Sequence, residues 1–106
     1  MKIIKIIPQK FKKQYKTLYF DGDYRIKLHE ELILQHGLKE GLDVSEEKLI
    51  ELTVATKKKE ATDYAYLSLS LRVRSEKEML DRLKKKGFSS DIVKTVIEEL
   101  KLINLS

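Results

Sequence analysis

The chain is predicted to be an α+β protein, mostly α: a short N-terminal antiparallel β-meander, then helices ending in a three-helix, helix-turn-helix-like repeat. Three observations predict this. Up to Leu28 the apolar residues fall in short β-branched or alternating runs. From His29 onward they recur at helical spacing. Ser75 and Glu78 match the capping-box pattern, which marks where a helix begins. The expected organisation is a meander over 1–28, short helices over 29–59 and a three-helix repeat over 60–106, together forming one compact domain.

The first strand is expected over 2–8, where Ile3, Ile4, Ile6 and Ile7 are β-prone and Pro8 ends the run or places it at a sheet edge. A basic connector over 9–14 leads to a second strand over 15–20. Asp21-Gly22-Asp23 supplies a hairpin turn. The return strand over 24–28 alternates, with Tyr24, Ile26 and Leu28 on one face and Arg25 and Lys27 on the other. A short helix follows from His29 and is stopped by Gly37; Leu38-Lys39-Glu40-Gly41 is a second turn. Ser45 is the expected cap of a helix from Glu46, with Leu49, Ile50, Leu52 and Val54 as its apolar face. The charged stretch from Thr56 to Glu60 is either a break or a continuous solvated turn. A further helix is expected over 60–72, with Ala61, Ala65 and Ser68 as a small-residue stripe and Tyr64, Leu67 and Leu71 beside it. Ser75 opens a helix to about Lys86 that turns Met79, Leu80 and Leu83 inward and is stopped by Gly87. Ser89 or Ser90 opens the last helix, where Ile92, Val93, Val96, Ile97 and Leu100 keep helical spacing and Asn104 is the expected C-cap.

Composition bounds the function. The 106 residues contain no cysteine, which excludes a disulfide scaffold or a thiolate metal site and fits a reducing, cytoplasmic setting. No apolar run approaches the roughly 18 residues of a membrane span. The net charge is +5 and is unevenly spread. Residues 1–28 carry eight basic and two acidic side chains, whereas 29–60 carry five and eight. The positive field at the start favours a polyanionic partner, although lysine is also a general solubiliser.

Two histidines, His29 and His36, lack the further ligands that zinc needs, and Asp21 and Asp23 are turn residues without a calcium-loop ladder. The glycines are isolated, so no phosphate loop is present. Neither an enzymatic activity nor a cofactor is expected. Lys10, Lys12, Lys13, Tyr15 and Lys16, with Phe11 among them, interleave cations with aromatics and are the candidate nucleic-acid-binding residues; the competing reading is a solvated connector with buried aromatics. Arg72, Arg74, Lys84, Lys85 and Lys86 are the candidate partner-binding residues. Two of the four arginines stand at one helix joint, and Arg offers a planar fork for carboxylates or phosphates. The alternatives are that an arginine caps a carbonyl within the joint and that the lysines complement a helix dipole.

At this joint the sequence resembles the RecX family of recombination regulators. The family pattern appears as Ala65, Tyr66, Leu69, Arg72, Arg74, Ser75, Glu78 and Leu83, with Tyr66 where a leucine is usual. Ile6-Ile7-Pro8-Gln9-Lys10, the Asp21-Gly22 turn and the Leu38-Lys39-Glu40-Gly41 turn are similar to the Gram-positive-like branch. Family members continue into further three-helix repeats, whereas this sequence stops at Asn104-Leu105-Ser106. The expectation is therefore an N-terminal portion, or a member reduced to one repeat. Its apolar docking face would be Leu102, Ile103 and Leu105, covered by the meander or by a second copy in a homodimer. The resemblance implies a non-enzymatic regulator of DNA recombination, DNA repair and the SOS response. Such a protein binds the RecA filament on single-stranded DNA and inhibits it, with weak direct DNA binding and no membrane association. The alternative is a small basic helix-turn-helix-like DNA-binding domain without RecA involvement.

Overall fold

The computed structural model describes residues 1–103. The Asn104 cap and the Leu105 part of the docking face lie outside the described residues. Three strands, β1 (Ile3–Pro8), β2 (Tyr15–Phe20) and β3 (Arg25–His29), are followed by four helices, α1 (Glu30–Gln35), α2 (Glu46–Leu71), α3 (Glu76–Lys85) and α4 (Ser90–Leu102). The protein is thus α+β and mostly α. The chain divides into two compact units, 1–56 and 57–106, with the boundary inside α2.

The first unit is built on an antiparallel meander in the order β1-β2-β3. Gly22 and Asp23 take positive φ values of 78° and 61° in the β2–β3 turn, a conformation that Gly adopts freely and Asp tolerates. The Phe20 amide donates to the Tyr24 carbonyl at 2.8 Å and closes that turn. A bulge at Ile4 shifts the register between Ile3 and Lys5. Strand alternation sends Leu18 and Leu28 into the core, where Ile3, Phe20, Leu32, Leu38, Val44, Leu49 and Leu52 join them. The opposite sheet face carries the rows Lys5–Tyr19–Arg25 and Ile7–Thr17–Lys27. The loop before α2 is tied to the start of β1: the Ile3 amide donates to the Leu42 carbonyl at 2.9 Å and the Gly41 amide to the Ile3 carbonyl at 2.7 Å.

α1 begins at His29, whose Nδ1 accepts from the Glu31 amide at 3.1 Å, so this histidine serves as an N-cap. Ser45 caps α2 through its hydroxyl, which accepts from the Lys48 amide at 3.1 Å.

Several expectations are corrected. The helices expected on either side of Thr56–Glu60 are one helix, because no Gly or Pro interrupts 46–71 and the charged stretch supports itself. Lys57 and Glu60 pair at 3.9 Å, and the Thr62 hydroxyl donates to the Lys58 carbonyl at 2.9 Å. Of the apolar face expected in the first half of α2, Leu49 and Leu52 are buried while Ile50 and Val54 face solvent. Leu67 and Leu71 are also exposed. In each case the helix has more apolar positions than one buried stripe can absorb.

In the second unit the later part of α2 packs with α3 and α4. Ala61 and Ala65 are fully buried beside Met79, Leu83, Val93, Val96, Ile97 and Leu100. The small residues let side chains of the other helices approach closely. Ser89, rather than Ser90, caps α4, its hydroxyl accepting from the Ile92 amide at 3.3 Å. Ion pairs that link separate helices of this unit include Lys58 with Glu99 at 2.7 Å and Lys101 with Glu76 at 2.9 Å.

Candidate partner-binding joint and basic surfaces

The last four carbonyls of a helix lack intrahelical partners, and α2 has no basic residue in its last turn to answer its negative pole. The residues just beyond supply what is missing. Arg74 folds back and donates from Nε to the Ser68 carbonyl at 3.0 Å, which buries its side chain. Burial pulls the Arg74 pKa down, and the neighbouring Arg82 and Arg72 act in the same direction. The guanidinium remains charged all the same.

The Ser68 hydroxyl is a second node. It donates to the Tyr64 carbonyl at 2.9 Å and accepts from Arg82 Nε at 3.3 Å. The Arg82 guanidinium also lies 5.5 Å from the centre of the Tyr64 ring, and Lys86 Nζ lies 5.2 Å from it, so two cations of the α3 C-terminal region meet one aromatic of α2.

α3 starts with a complete capping box. The Ser75 hydroxyl accepts from the Glu78 amide at 3.2 Å, and Glu78 Oε1 accepts from the Ser75 amide at 3.3 Å. The other carboxylate oxygen, Oε2, pairs with Arg72. The Glu78 carboxyl is therefore held below the usual glutamate range, first by the Ser75 amide and then by Arg72, with partial burial opposing both. All four polar residues of the Arg-x-Arg-Ser-x-x-Glu pattern are thus engaged in closing the α2–α3 joint.

The remaining candidates separate by environment. Lys84 and Lys85 are exposed in the last turn of α3. In the 9–14 connector Lys12 and Lys13 are exposed, and Lys10 Nζ lies 5.5 Å from the centre of the Phe11 ring, which is 89% exposed. Lys16 is half-buried in β2 between Pro8 and Leu28. Tyr15 is buried, with its ring edge-on to His29 at 5.1 Å and Lys27 Nζ 5.4 Å from its centre. Phe11, not Tyr15, is therefore the aromatic that this connector offers to solvent. The sequence assigns Ser68 and Tyr64 to helix faces without a polar role and Arg82 only to the basic end of its helix. The four-residue spacing of Tyr64 and Ser68 on α2 was the available signal, but their meeting with Arg82 depends on helix packing.

Among the described residues, no group of three or more His, Asp or Glu side chains could hold a metal ion. Among them, too, no helix is long and apolar enough to cross a membrane.

A β-meander unit and a three-helix, helix-turn-helix-like unit closed by paired arginines define the class of this protein. A family model described as RecX, first three-helix domain, matches residues 61–100. The regulatory protein RecX of Caldanaerobacter subterraneus subsp. tengcongensis is 29% identical over 101 residues, covering 95% of this chain and 51% of the relative. That of Geobacillus sp. strain WCH70 is 34% identical over 90 residues, covering 85% and 31%. That of Clostridium acetobutylicum is 33% identical over 99 residues, covering 93% and 46%. A crystal structure of regulatory protein RecX superimposes with a TM-score of 0.75 at 26% identity, covering 98% of this chain and 51% of that one. Over these residues the chain belongs to the RecX family of regulatory proteins. It spans about half or less of the length of these relatives.

Proposed function

We propose that this chain is a non-enzymatic regulator that binds the RecA filament on single-stranded DNA and restrains it. It would act in the cytoplasm, in recombination, DNA repair and the SOS response. The observation that carries this reading is the match of nearly the whole chain to proteins named as regulatory RecX. The charge supports it, since a filament coated on DNA is a polyanion and a cationic body is drawn to it. In this reading residues 60–106 are the repeat that docks. Lys84, Lys85 and the outward edge of Lys86 supply the contacts, while Arg72 and Arg74 hold the joint that presents them. Lys10, Lys12, Lys13 and Lys16 add weak direct contact with DNA. Leu102 and Ile103, 87% and 56% exposed, are the face for a further repeat or a second copy. The alternative of a helix-turn-helix reader is less well supported, because α4 offers Lys94 and Lys101 among Asp91, Glu98 and Glu99, and Lys101 is bound to Glu76.

The test is RecA's DNA-dependent ATPase at rising concentrations of this chain. Inhibition is expected, weaker than that by a longer RecX relative, and Lys84→Ala/Lys85→Ala is expected to weaken it further. An ATPase that stays unchanged throughout would defeat the reading, and potency equal to the longer relative would defeat its dependence on length.

A further inference from the structure

We infer that the outward face of the β-sheet is a platform for single-stranded nucleic acid, with Tyr19 as the stacking surface and Lys5 and Arg25 as its phosphate contacts. The inference does not depend on RecA. Strand pairing sets Lys5, Tyr19 and Arg25 side by side in one row across β1, β2 and β3. Both cations are exposed, and Tyr19 between them is half-buried. Strands lie 4.7–4.9 Å apart, so the two cations straddle the tyrosine with backbones on the order of 10 Å from each other. The adjoining row is Ile7, Thr17 and Lys27. No acidic residue stands at any position of either row, although a face that only needed solubility would mix signs. Arg25 and Lys27 are two apart on one strand and share this face, an arrangement that costs stability by repulsion. Lys27 is already engaged with the Tyr15 ring, so the contacts rest on Lys5 and Arg25.

The shape agrees with the charge. Gln9, Thr17, Tyr19, Arg25, Ile26 and Lys27 line a shallow concavity of about 310 Å³ that opens to solvent, and Lys5 stands beside it at the far end of the Tyr19 row. An aromatic in a shallow cationic trough suits unpaired bases, because every base has a π-face and stacking tolerates any sequence. A duplex hides those faces. An acidic peptide would use the cations but would gain nothing specific from the ring.

The experiment is fluorescence anisotropy of labelled oligothymidylate with the full chain and no other protein. Lys5→Ala/Arg25→Ala is expected to weaken binding about tenfold, and to flatten the slope of log affinity against log salt by about 1.4, about 0.7 for each lost phosphate contact. Tyr19→Leu is expected to weaken binding about tenfold through lost stacking, whereas Tyr19→Phe keeps the ring and the affinity. Lys77→Ala, which removes an exposed cation of α3 with no assigned role, should leave affinity unchanged. Unchanged affinity in Lys5→Ala/Arg25→Ala, or displacement of the oligonucleotide by poly-glutamate as readily as by unlabelled oligothymidylate, would overturn the inference. Because RecA is absent from this assay, its failure is separate from any failure of the ATPase test.

Discussion

The three-helix unit and the sheet unit use their cations in opposite ways. At the α2–α3 joint, Arg72 is bound to Glu78, Arg74 to the Ser68 carbonyl, and Arg82 to the Ser68 hydroxyl and the Tyr64 ring. On the sheet, Lys5 and Arg25 stand exposed in a row whose third member is an aromatic. The most conspicuous cations in the sequence are therefore largely spent on the fold, while less conspicuous ones are left to meet a ligand. A count of basic residues does not locate a binding surface until those that answer a carbonyl, a carboxylate or a ring within the fold have been subtracted.

The two cores give the largest expected effects. Leu83 and Leu18 are both fully buried, one in each unit. Either residue changed to Ala is expected to cost about 2–5 kcal/mol, from lost transfer energy plus the cavity left behind. Urea denaturation measures the loss. A cost below about 1 kcal/mol at either site would mean that the core there can collapse around the gap.

The contrast between arginines comes next in size. Arg74→Ala removes the partner of a helix-end carbonyl and empties a buried space, so a clear fall in Tm is expected. Arg74→Lys should rescue little, because an ammonium cannot reproduce the directed Nε donor. Arg25→Ala should leave Tm nearly unchanged, since that side chain is exposed. Circular dichroism melts of the three variants decide it, and equal melting of Arg74→Ala and the parent would erase the distinction between the two regions.

The same contrast explains what was legible in the sequence. The meander was legible because Asp-Gly and the alternation of 24–28 act locally. The Ser75–Glu78 cap was legible because its partners are three residues apart. Joined α2 was not, because a charged stretch without Gly or Pro reads as either a break or a continuous solvated turn, and only packing on both sides decides. The outward turn of Ile50 and Val54 was hidden for a similar reason: a helix with apolar residues around most of its circumference does not announce which stripe is buried. Of the candidate site residues, Arg74 as a carbonyl cap and Tyr15 as a buried aromatic were each one of two readings the sequence offered, and choosing between them needs the contacts with Ser68 and His29 that only the fold supplies. The row Lys5–Tyr19–Arg25 needs strand register, including the bulge at Ile4, before its members meet.

The smallest effect tests whether the Arg72–Glu78 pair at the joint is electrostatic in substance or incidental to the capping box. The Glu78 carboxyl ionises more readily in the folded chain than in the unfolded one, because the Ser75 amide and Arg72 both favour its charged form. Its contribution is therefore complete above the ordinary glutamate value of about 4.3 and is lost as pH falls through the lower folded value. Glu78→Gln keeps an acceptor for the Ser75 amide but cannot carry charge. The parent should melt slightly above Glu78→Gln at neutral pH, by an amount that salt reduces because the pair is exposed. The two curves of Tm against pH should converge in acid. Curves that stay parallel down to the lowest pH would show that the pair adds nothing beyond the neutral hydrogen bond of the cap. The joint would then rest on Arg74 and Ser75, with Arg72 released to act as a surface cation like those on the sheet.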